Sequence, residues 1–465
     1  MTEFLARLQK EAKDKAIYRQ TLDYALAYLD SLADRPVLPS ATALDALHSL
    51  DEGLPAGPCD TRDILRLLHE IGAPAAVSQG GGRYFGFVNG GVIPAALAAR
   101  LLADIWDQNA ALNIMSPIAS KLEAICETWL VDLLQLPKGS AAGFVSGTST
   151  ASLCGLLAGR NAILWRQGWD VSQRGLFGAP PIRLIMSEAV HGSVFKALAI
   201  LGIGAAQIEL VPADDQGRFD ARQLPQLDKT SLLILQAGNV NSGAFDDFAS
   251  ICSAAQEAEA WVHVDGAFGL WARACRATAR LTTGIELAQS WSVDAHKTLN
   301  SPYDCGIVFC RDRFTLVRAL QATGSYLQFS EERDGMLYTP EMSRRARGIE
   351  LWALLKALGR AGVDELVAQL CARARQFADE LARHNFRILN DVVFNQVLVA
   401  CEKPELTRAT LRAIQSSGEC WCGGSEWREE PVIRISVCSW ATTEADVQRS
   451  VAAFAAARSQ ALSMI

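Results

Sequence analysis

The sequence has no apolar run long enough to cross a bilayer, no internal repeat and no low-complexity tract. It also has no basic excess, since 44 Lys and Arg stand against 51 Asp and Glu and the net charge is −7. An acidic surface does not neutralise nucleic-acid phosphates or anionic lipids, so we expect neither nucleic acid nor membrane as a partner. The N-terminal segment lacks a secretory apolar core and a small-residue cleavage site, which predicts a cytoplasmic protein.

Signals for metals, disulfides and nucleotides are also missing. The close cysteine pair Cys420 and Cys422 has no histidine near it, so we expect no metal site. The twelve cysteines are scattered along a large acidic chain, which favours reduced thiols over a disulfide framework. Neither the P-loop spacing nor the dinucleotide glycine fingerprint occurs, so a nucleotide site has no support.

What is present is a globular composition, half hydrophobic and one fifth charged, over 465 residues. Residues 1–75 carry helical spacing and predict an N-terminal helical segment. Short apolar runs separated by helix-length segments then predict an α/β domain over 76–347, with a mostly parallel sheet between helices. After residue 347 a long helical stretch and two short strand candidates predict a smaller α/β domain over 348–465. The five clearest runs in the large domain are at 182–186, 208–212, 232–236, 261–267 and 306–310.

The stretch SVDAHKTLN at 292–300 places Lys297 directly after a histidine, at the end of a predicted strand. A lysine of this kind, taken alone, is usually a solvated surface residue. Asp265 ends another apolar run about one βαβ unit earlier, so both residues could lie at the same edge of the sheet. A lone strand-end aspartate more often caps a helix, but beside a lysine it could keep a pyridinium nitrogen protonated.

Two further elements complete this pattern. SGTSTAS at 146–152 leads from a predicted strand into an apolar helix, where backbone N–H groups and hydroxyls can hold an anion, although ordinary helix caps look similar. His191 follows another strand and could either stack on an aromatic ring or cap a helix. A phosphate cradle, a stacking histidine, a ring-nitrogen carboxylate and a lysine together predict pyridoxal 5′-phosphate bound as a Schiff base on Lys297.

With these elements the chain resembles the group II pyridoxal-phosphate-dependent amino acid decarboxylases, a fold-type I family that includes aromatic amino-acid and glutamate decarboxylases. The resemblance begins at 83–91 and continues into the C-terminal domain. It implies a seven-stranded type of sheet and a homodimer with the active site at the subunit interface. The most specific blocks are SPIASKLE at 116–123, SGTSTA at 146–151, HVDGAFGLWA at 263–272 and DAHKTLNSPYDCG at 294–306.

The resemblance also implies roles for individual residues. Lys297 carries the Schiff base, Asp265 partners the ring nitrogen and His191 stacks on the ring. Asn239 and Asn241 occupy the loop that approaches the ring 3-hydroxyl, where the threonine of aromatic decarboxylases is absent. The implied cofactor-binding residues are Gly147, Thr148, Ser149, His191, Asn239, Asn241, Asp265, Ala267, Asp294, His296 and Lys297.

The implied reaction is decarboxylation of an L-amino acid to an amine and CO2, with a loop tyrosine returning a proton to Cα. In the matching segment, 323–347, both Tyr326 and Tyr338 are candidates, and His191 or water replaces them if neither reaches the site. Two alternatives keep the same lysine: a carbon–carbon lyase and an aldehyde-forming oxidative decarboxylase. A non-catalytic regulatory homologue is the remote alternative, against which the intact lysine argues.

The sequence defines the substrate less closely than the cofactor. The resemblance puts Tyr84, Phe85 and Phe87 near the substrate side chain, which favours an apolar or aromatic substrate, although the same residues could pack in the core. The arginine group 344, 345 and 347 could bind an acidic side chain or the α-carboxylate. It could equally hold the loop to its own domain. Arg347 is the substrate candidate among them.

Overall fold

A computed structural model of the chain describes residues 3–321, 329 and 331–464. Within them the helices are α1 (Glu3–Lys13), α2 (Lys15–Ser31), α3 (Ala41–Ala46), α4 (Thr61–Leu67), α5 (Ala73–Ala75), α6 (Pro94–Trp106), α7 (Pro117–Leu133), α8 (Thr148–Arg166), α9 (Val171–Arg174), α10 (Gly192–Ile200), α11 (Phe248–Glu257), α12 (Arg313–Leu320), α13 (Gly348–Arg383), α14 (Pro404–Ser417) and α15 (Glu444–Leu462). The strands are β1 (Ala141–Val145), β2 (Arg183–Ser187), β3 (Ile208–Val211), β4 (Ser231–Gln236), β5 (Trp261–Asp265), β6 (Ser290–Asp294), β7 (Gly306–Cys310), β8 (Arg387–Ile388), β9 (Gln396–Ala400), β10 (Gly423–Trp427) and β11 (Glu430–Ser436).

The N-terminal segment is helical, as its spacing predicts. Asp14 and Asp60 begin α2 and α4 by accepting hydrogen bonds from backbone amides of the first turn. A π-helical turn, Leu68–Gly72, follows α4 directly. Among the described residues, no helix combines the length and the apolar character needed to cross a membrane.

The large sheet contains seven strands within the described residues, in the order β1-β7-β6-β5-β4-β2-β3. β7 runs antiparallel to both of its neighbours, and the other strands are parallel. Every residue of β1, β4, β5, β6 and β7 is buried, because helices cover both faces. The predicted α/β fold with a mostly parallel, seven-stranded sheet is therefore confirmed.

Two apolar cores flank this sheet. α8, α10 and α12 pack on one face, and α7, α11 and the first part of α13 pack on the other. The strand runs at 182–186, 208–212, 232–236, 261–267 and 306–310 all form strands within one or two residues of the predicted bounds. Such runs are predictable because strands buried on both faces read as continuous apolar stretches.

The C-terminal part forms a second, antiparallel sheet in the order β10-β11-β9-β8, covered by α14, α15 and the end of α13. The pattern indicated β9 and β11 but not β10, because GGSEW at its edge position has no apolar alternation. α13 begins at Gly348 and breaks at Gly359, whose φ is 58°. Since α13 contributes to both domain cores, we keep a boundary near residue 348 as a proposal.

The topology brings the chemically important residues to one edge of the large sheet. The carboxyl ends of β1, β2, β4, β5 and β6 all open there, and in parallel sheets this is the edge where ligands bind. The glycine-rich loop at 86–91 packs underneath. A side chain at Gly90 would place its Cβ 2.1 Å from the carbonyl oxygen of Lys297, so only glycine allows this approach.

Candidate active site

A cavity of about 260 Å³ lies at this edge and contains most of the residues predicted to bind the cofactor. A larger cavity of about 790 Å³, beside Trp165 and Arg318, contains none of them. The smaller cavity is lined by Phe87, Val88, Gly147, Thr148, Ser149, His191, Ser193, Gln236, Gly238, Val240, Asp265, Ala267, Phe268, Asp294, His296 and Lys297.

Asp294, the last residue of β6, connects the two ends of the cavity. Its Oδ2 lies 3.1 Å from the Nζ of Lys297, and its Oδ1 accepts a hydrogen bond of 2.6 Å from the backbone N–H of Thr148. The Nε2 of His296 is 3.6 Å from the same carboxylate. Asp294 thus lines the cavity as predicted, but its carboxylate holds the lysine and the start of α8.

The start of α8 is built to receive an anion. Gly147 is its N-cap and has no side chain of its own, so beyond the Thr148 amide bound by Asp294 the positive end of the helix dipole faces the cavity. The Oγ1 of Thr148 is buried and has no hydrogen-bond partner among the described residues. Ser149 adds a second hydroxyl residue to the lining. These groups fit a phosphate monoester.

His296 lies beside this cradle and is held from two directions. Its Nδ1 accepts a hydrogen bond of 3.1 Å from the backbone N–H of Cys305, and its ring lies 4.3 Å from that of Tyr303. Burial lowers the pKa of His296, although Asp294 acts to raise it. With Nδ1 used as an acceptor, the neutral ring carries its proton on Nε2, so this nitrogen acts as a donor.

Asp265 ends β5 and is almost fully buried in the cavity. Its Oδ1 accepts a hydrogen bond of 3.1 Å from the Ala267 amide. Burial raises the pKa of Asp265, whereas the charges of Lys297 and His191 and the Ala267 amide lower it. A cation placed against this carboxylate would stabilise its ionised form, and a protonated ring nitrogen is such a cation.

His191 both lines the cavity and caps a helix, so the two interpretations of this residue are compatible. Its Nδ1 accepts from the Ser193 backbone N–H at 3.2 Å and lies 2.7 Å from the Ser193 hydroxyl. A backbone N–H can only donate, so the neutral ring carries its proton on Nε2. Burial lowers the pKa of His191, which favours this neutral form.

Asn239 and Asn241 do not line the cavity, and their predicted contact with the cofactor stays a prediction. The Asn239 side chain accepts from the amides of Asn241 and Ser242 and donates to backbone carbonyls, while Asn241 accepts from Ser425. Both side chains are therefore used to shape a turn. That turn carries Gly238 and Val240 to the cavity instead.

The aromatic residues predicted near the substrate divide into two groups. Phe85 is fully buried against Phe377, and Tyr84 is buried in a stack on Trp421, so both pack in the core. Their predicted substrate contact stays a prediction. Phe87 lines the cavity, is 64% exposed and lies 5.5 Å from the Trp421 ring. Its φ of 57° is unusual for a phenylalanine and presents the ring at the mouth of the cavity.

Tyr338 is buried and does not line the cavity, and its predicted catalytic role stays a prediction. Its hydroxyl accepts a hydrogen bond of 2.7 Å from Arg313, and the Arg333 guanidinium lies 4.0 Å from its ring centre. The second candidate, Tyr326, lies outside the described residues.

The arginines at 344, 345 and 347 hold their segment to its own domain, the second of the two expected roles. Arg344 makes two hydrogen bonds, of 2.6 and 3.0 Å, to the buried carboxylate of Glu123. Arg347 donates to Asp304 at 2.9 Å, and Arg345 pairs with Asp304 as well. None of the three lines the cavity, and the predicted substrate contact of Arg347 stays a prediction.

Two residues at the site escaped sequence analysis. Gln236 ends β4, lines the cavity and has a buried amide nitrogen without a hydrogen-bond partner among the described residues. Arg434 on β11 donates to the carbonyl of the cavity residue Val240 at 3.2 Å, and its positive charge lowers the pKa of His191. The sequence features that could have indicated these two residues are the polar residue that ends the run LLILQ and the charged residue inside the run VIRISVC.

Comparison with known proteins agrees with this geometry. Residues 46–401 match the pyridoxal-dependent decarboxylase conserved domain. The aromatic-L-amino-acid decarboxylase of Rattus norvegicus is 25% identical over 463 residues, which cover 92% of this chain and 94% of that protein.

Two solved structures share the fold. The crystal structure of Oryza sativa TDC with PLP and tryptamine has a TM-score of 0.88 and 22% identity, with 97% of this chain and 98% of that chain covered. Rhodiola rosea 4-hydroxyphenylacetaldehyde synthase has a TM-score of 0.81 and 22% identity, with 99% of each chain covered. The resemblance seen in the sequence is thus confirmed, as is pyridoxal phosphate as the cofactor. The protein belongs to the pyridoxal-dependent decarboxylase family.

Proposed function

We propose that the protein removes the α-carboxyl group of an aromatic L-amino acid and releases CO2 and the amine, with the cofactor held on Lys297 as a Schiff base. The observation that carries this proposal is the convergence of Lys297, Asp265 and the start of α8 on one cavity. When bound, pyridoxal phosphate supplies a conjugated ring that accepts the electron pair left behind by CO2. The protein supplies the binding, orientation and charge described below.

Each end of the cavity has a distinct task in this proposal. The α8 N-terminus with Thr148 and His296 holds the phosphate. The Asp265 carboxylate keeps the ring nitrogen protonated, because a buried anion favours a cation beside it. His191 lies over the ring, held by its hydrogen bonds to Ser193.

Arg434 is the candidate for binding the substrate carboxylate. Its guanidinium is directed at the cavity wall through Val240, and its buried Nε has no hydrogen-bond partner among the residues described. Burial lowers the pKa of Arg434, which indicates a desolvated cation that an anion would stabilise. The arginines at 344, 345 and 347 are engaged elsewhere, so an acidic side chain on the substrate has less support.

The aromatic preference rests on Phe87. Its exposed ring stands at the cavity mouth beside Trp421, and offset aromatic rings recognise one another by stacking. The named activity of the rat relative is consistent with such a substrate. Its sequence identity is only 25%, so we treat this preference as part of the proposal.

A second candidate is the aldehyde-forming oxidative reaction. It is favoured by one observation, the burial of Tyr338, which removes a predicted proton donor from the site. If Cα is protonated instead, the product is the amine, and His191 is the described candidate for the donor because its neutral form holds a proton on Nε2.

The reaction is tested by a screen of the common L-amino acids for CO2 release with identification of the products. We expect CO2 and the matching amine from an aromatic amino acid, at a rate well above that with glutamate. Ammonia, peroxide and an aldehyde would establish the oxidative alternative instead. Cleavage of a carbon–carbon bond without CO2 release would contradict decarboxylation of either kind.

Lys297→Ala should abolish the covalent attachment of the cofactor. The wild-type holoenzyme is expected to absorb in the near-violet, and borohydride should fix the cofactor to the peptide that contains Lys297. Both signals should disappear in the variant, as measured by absorbance and peptide mass. Lys356→Ala, at an exposed position on α13, serves as the matched control and should keep both. Borohydride labelling of another lysine would contradict the assignment.

Asp265→Asn should leave the fold intact and reduce kcat by at least about a hundredfold, in line with the loss of other preorganised charges in active sites. The amide fits the same space but cannot stabilise a protonated ring nitrogen. Steady-state kinetics should be measured on protein whose cofactor content is matched to wild type by absorbance. Turnover within about twofold of wild type would remove Asp265 from this role.

We also propose a homodimer that completes the site. An apolar stripe runs along α2 through Tyr18, Leu22, Leu26 and Leu29, which share one helix face and are all substantially exposed. An uncovered stripe of this kind is typical of a protein interface. A second copy of the chain is the occupant that the predicted interface site requires.

The double variant Leu22→Glu/Leu26→Glu should shift the protein from dimer towards monomer in sedimentation velocity, because it buries two charges in an apolar contact. Cofactor retention should fall with it if the partner completes the site. Phe177→Glu, at a fully solvated position, is the control and should leave the dimer unchanged. A wild-type monomer at micromolar concentration would contradict the proposal.

A further inference from the structure

We propose that the side-chain amide of Gln236 donates a hydrogen bond to the ring oxygen of pyridoxal phosphate, at ring position 3. Asn239 and Asn241, the residues predicted to approach this oxygen, are both used in a turn. Gln236 would then be a positioning residue that sets the orientation and electronic state of the ring. The proposal rests on the proposed placement of the ring between Asp265 and Lys297.

The sheet holds Gln236 beside Asp265. It lies opposite Asp265 in the parallel register of β4 and β5, so the two side chains point to the same face about 4.8 Å apart. Its own backbone N–H donates to Asp246 at 2.7 Å, and the next amide, that of Ala237, donates to the Asp265 carbonyl at 2.8 Å. The backbone therefore has little freedom to carry the side chain away from the cavity.

The amide also lacks a partner within the protein. Gln236 is only 3% exposed, and its Nε2 makes no hydrogen bond to any part of the chain that the structure describes. Buried amide groups are nearly always paired, since an unpaired one loses its hydration without compensation. A ligand in the cavity lined by Gln236 is the natural source of the missing partner.

The order of the strands indicates which part of the cofactor lies next to the Gln236 side-chain amide. β5, with Asp265, lies between β6 on one side and β4 on the other. The phosphate cradle is tied to the β6 side, because Asp294 accepts the Thr148 amide. In pyridoxal phosphate the phosphate arm and the ring oxygen lie on opposite edges of the ring, on either side of the aldehyde carbon. With the phosphate towards β6, the ring oxygen faces β4 and Gln236.

The contact has a chemical consequence. In the near-violet form of the bound cofactor the ring oxygen is an anion, and an N–H donor stabilises it. Loss of the donor should therefore shift the bound cofactor towards its near-ultraviolet, uncharged tautomer. A purely structural glutamine would not produce this shift.

The test is Gln236→Met, which keeps the approximate length of the side chain and removes its hydrogen bonding. Full-length protein is stripped of cofactor, titrated with pyridoxal phosphate and followed by absorbance, and thermal midpoints are recorded with and without cofactor. We expect cofactor affinity to fall by about 10- to 150-fold, the range for one hydrogen bond to a charged group. We also expect a smaller near-violet fraction and a lower midpoint for the loaded form. The midpoint without cofactor should be equal or higher, because an unpaired buried amide has been removed.

Gln216→Met is the matched control. Gln216 is also buried, but it does not line the cavity and its side-chain oxygen accepts from the Asp391 amide. This control should lower both midpoints and leave the spectrum of the bound cofactor unchanged.

Two results would overturn the inference. Unchanged affinity and spectrum with an altered KM would place Gln236 against the substrate, and equal loss of stability with and without cofactor would make it structural. Failure of the proposed function is distinguishable, because wild-type protein would then show no borohydride labelling of Lys297.

Discussion

The Asp294 carboxylate makes two contacts that connect the start of α8 to Lys297 in the active site. One oxygen accepts the Thr148 amide at 2.6 Å, and the other lies 3.1 Å from the Lys297 ammonium. A buried carboxylate is stable only when it is paired and hydrogen-bonded, so both contacts are needed once β6 has carried Asp294 into the interior. The same charge therefore fixes the start of α8 and the lysine at a set separation.

This separation depends in turn on the sheet. β6 lies between β5 and β7, and β7 pairs with β1, whose end leads into α8. The phosphate cradle and the lysine thus come from chain segments far apart in sequence, but from strands two places apart in the sheet. A shift of register in β7 would move them relative to each other.

A second set of buried charges holds the segment at 331–347. Arg333 pairs with Glu123 and Glu127 on α7, and Arg344 shares Glu123. Removing one partner from such a network leaves an uncompensated buried charge, at a cost of about 3–5 kcal/mol. Tyr338 lies within this network and is held by it. Its burial follows from the arginines around it, and sequence spacing gave no indication of that arrangement.

The sequence predicted those site residues that directly follow the ends of strands. Lys297, Asp265 and the start of α8 follow apolar runs, and parallel strands bring their carboxyl ends to one edge. It did not predict the contacts of side chains that can point in either of two directions. Asn239 could face the ring or its own turn, and only the tertiary structure shows that two backbone amides capture it. Gln236 was missed because a single polar residue at a strand end has many uses.

The charges of the completed site explain how it can hold two anions close together. A phosphate is neutralised at the α8 N-terminus by backbone N–H groups and the helix dipole, so it does not consume a cationic side chain. In the proposed function, Arg434 is therefore left for the substrate carboxylate, near Val240. His191 lines the same cavity, and its pKa is lowered by burial and by the Lys297 and Arg434 charges, although Asp265 opposes this. A neutral ring can stack on the cofactor without competing with Asp265 for the ring nitrogen's positive charge. In the proposed function, recognition of the substrate side chain falls to the aromatic pair Phe87 and Trp421, which carries no charge.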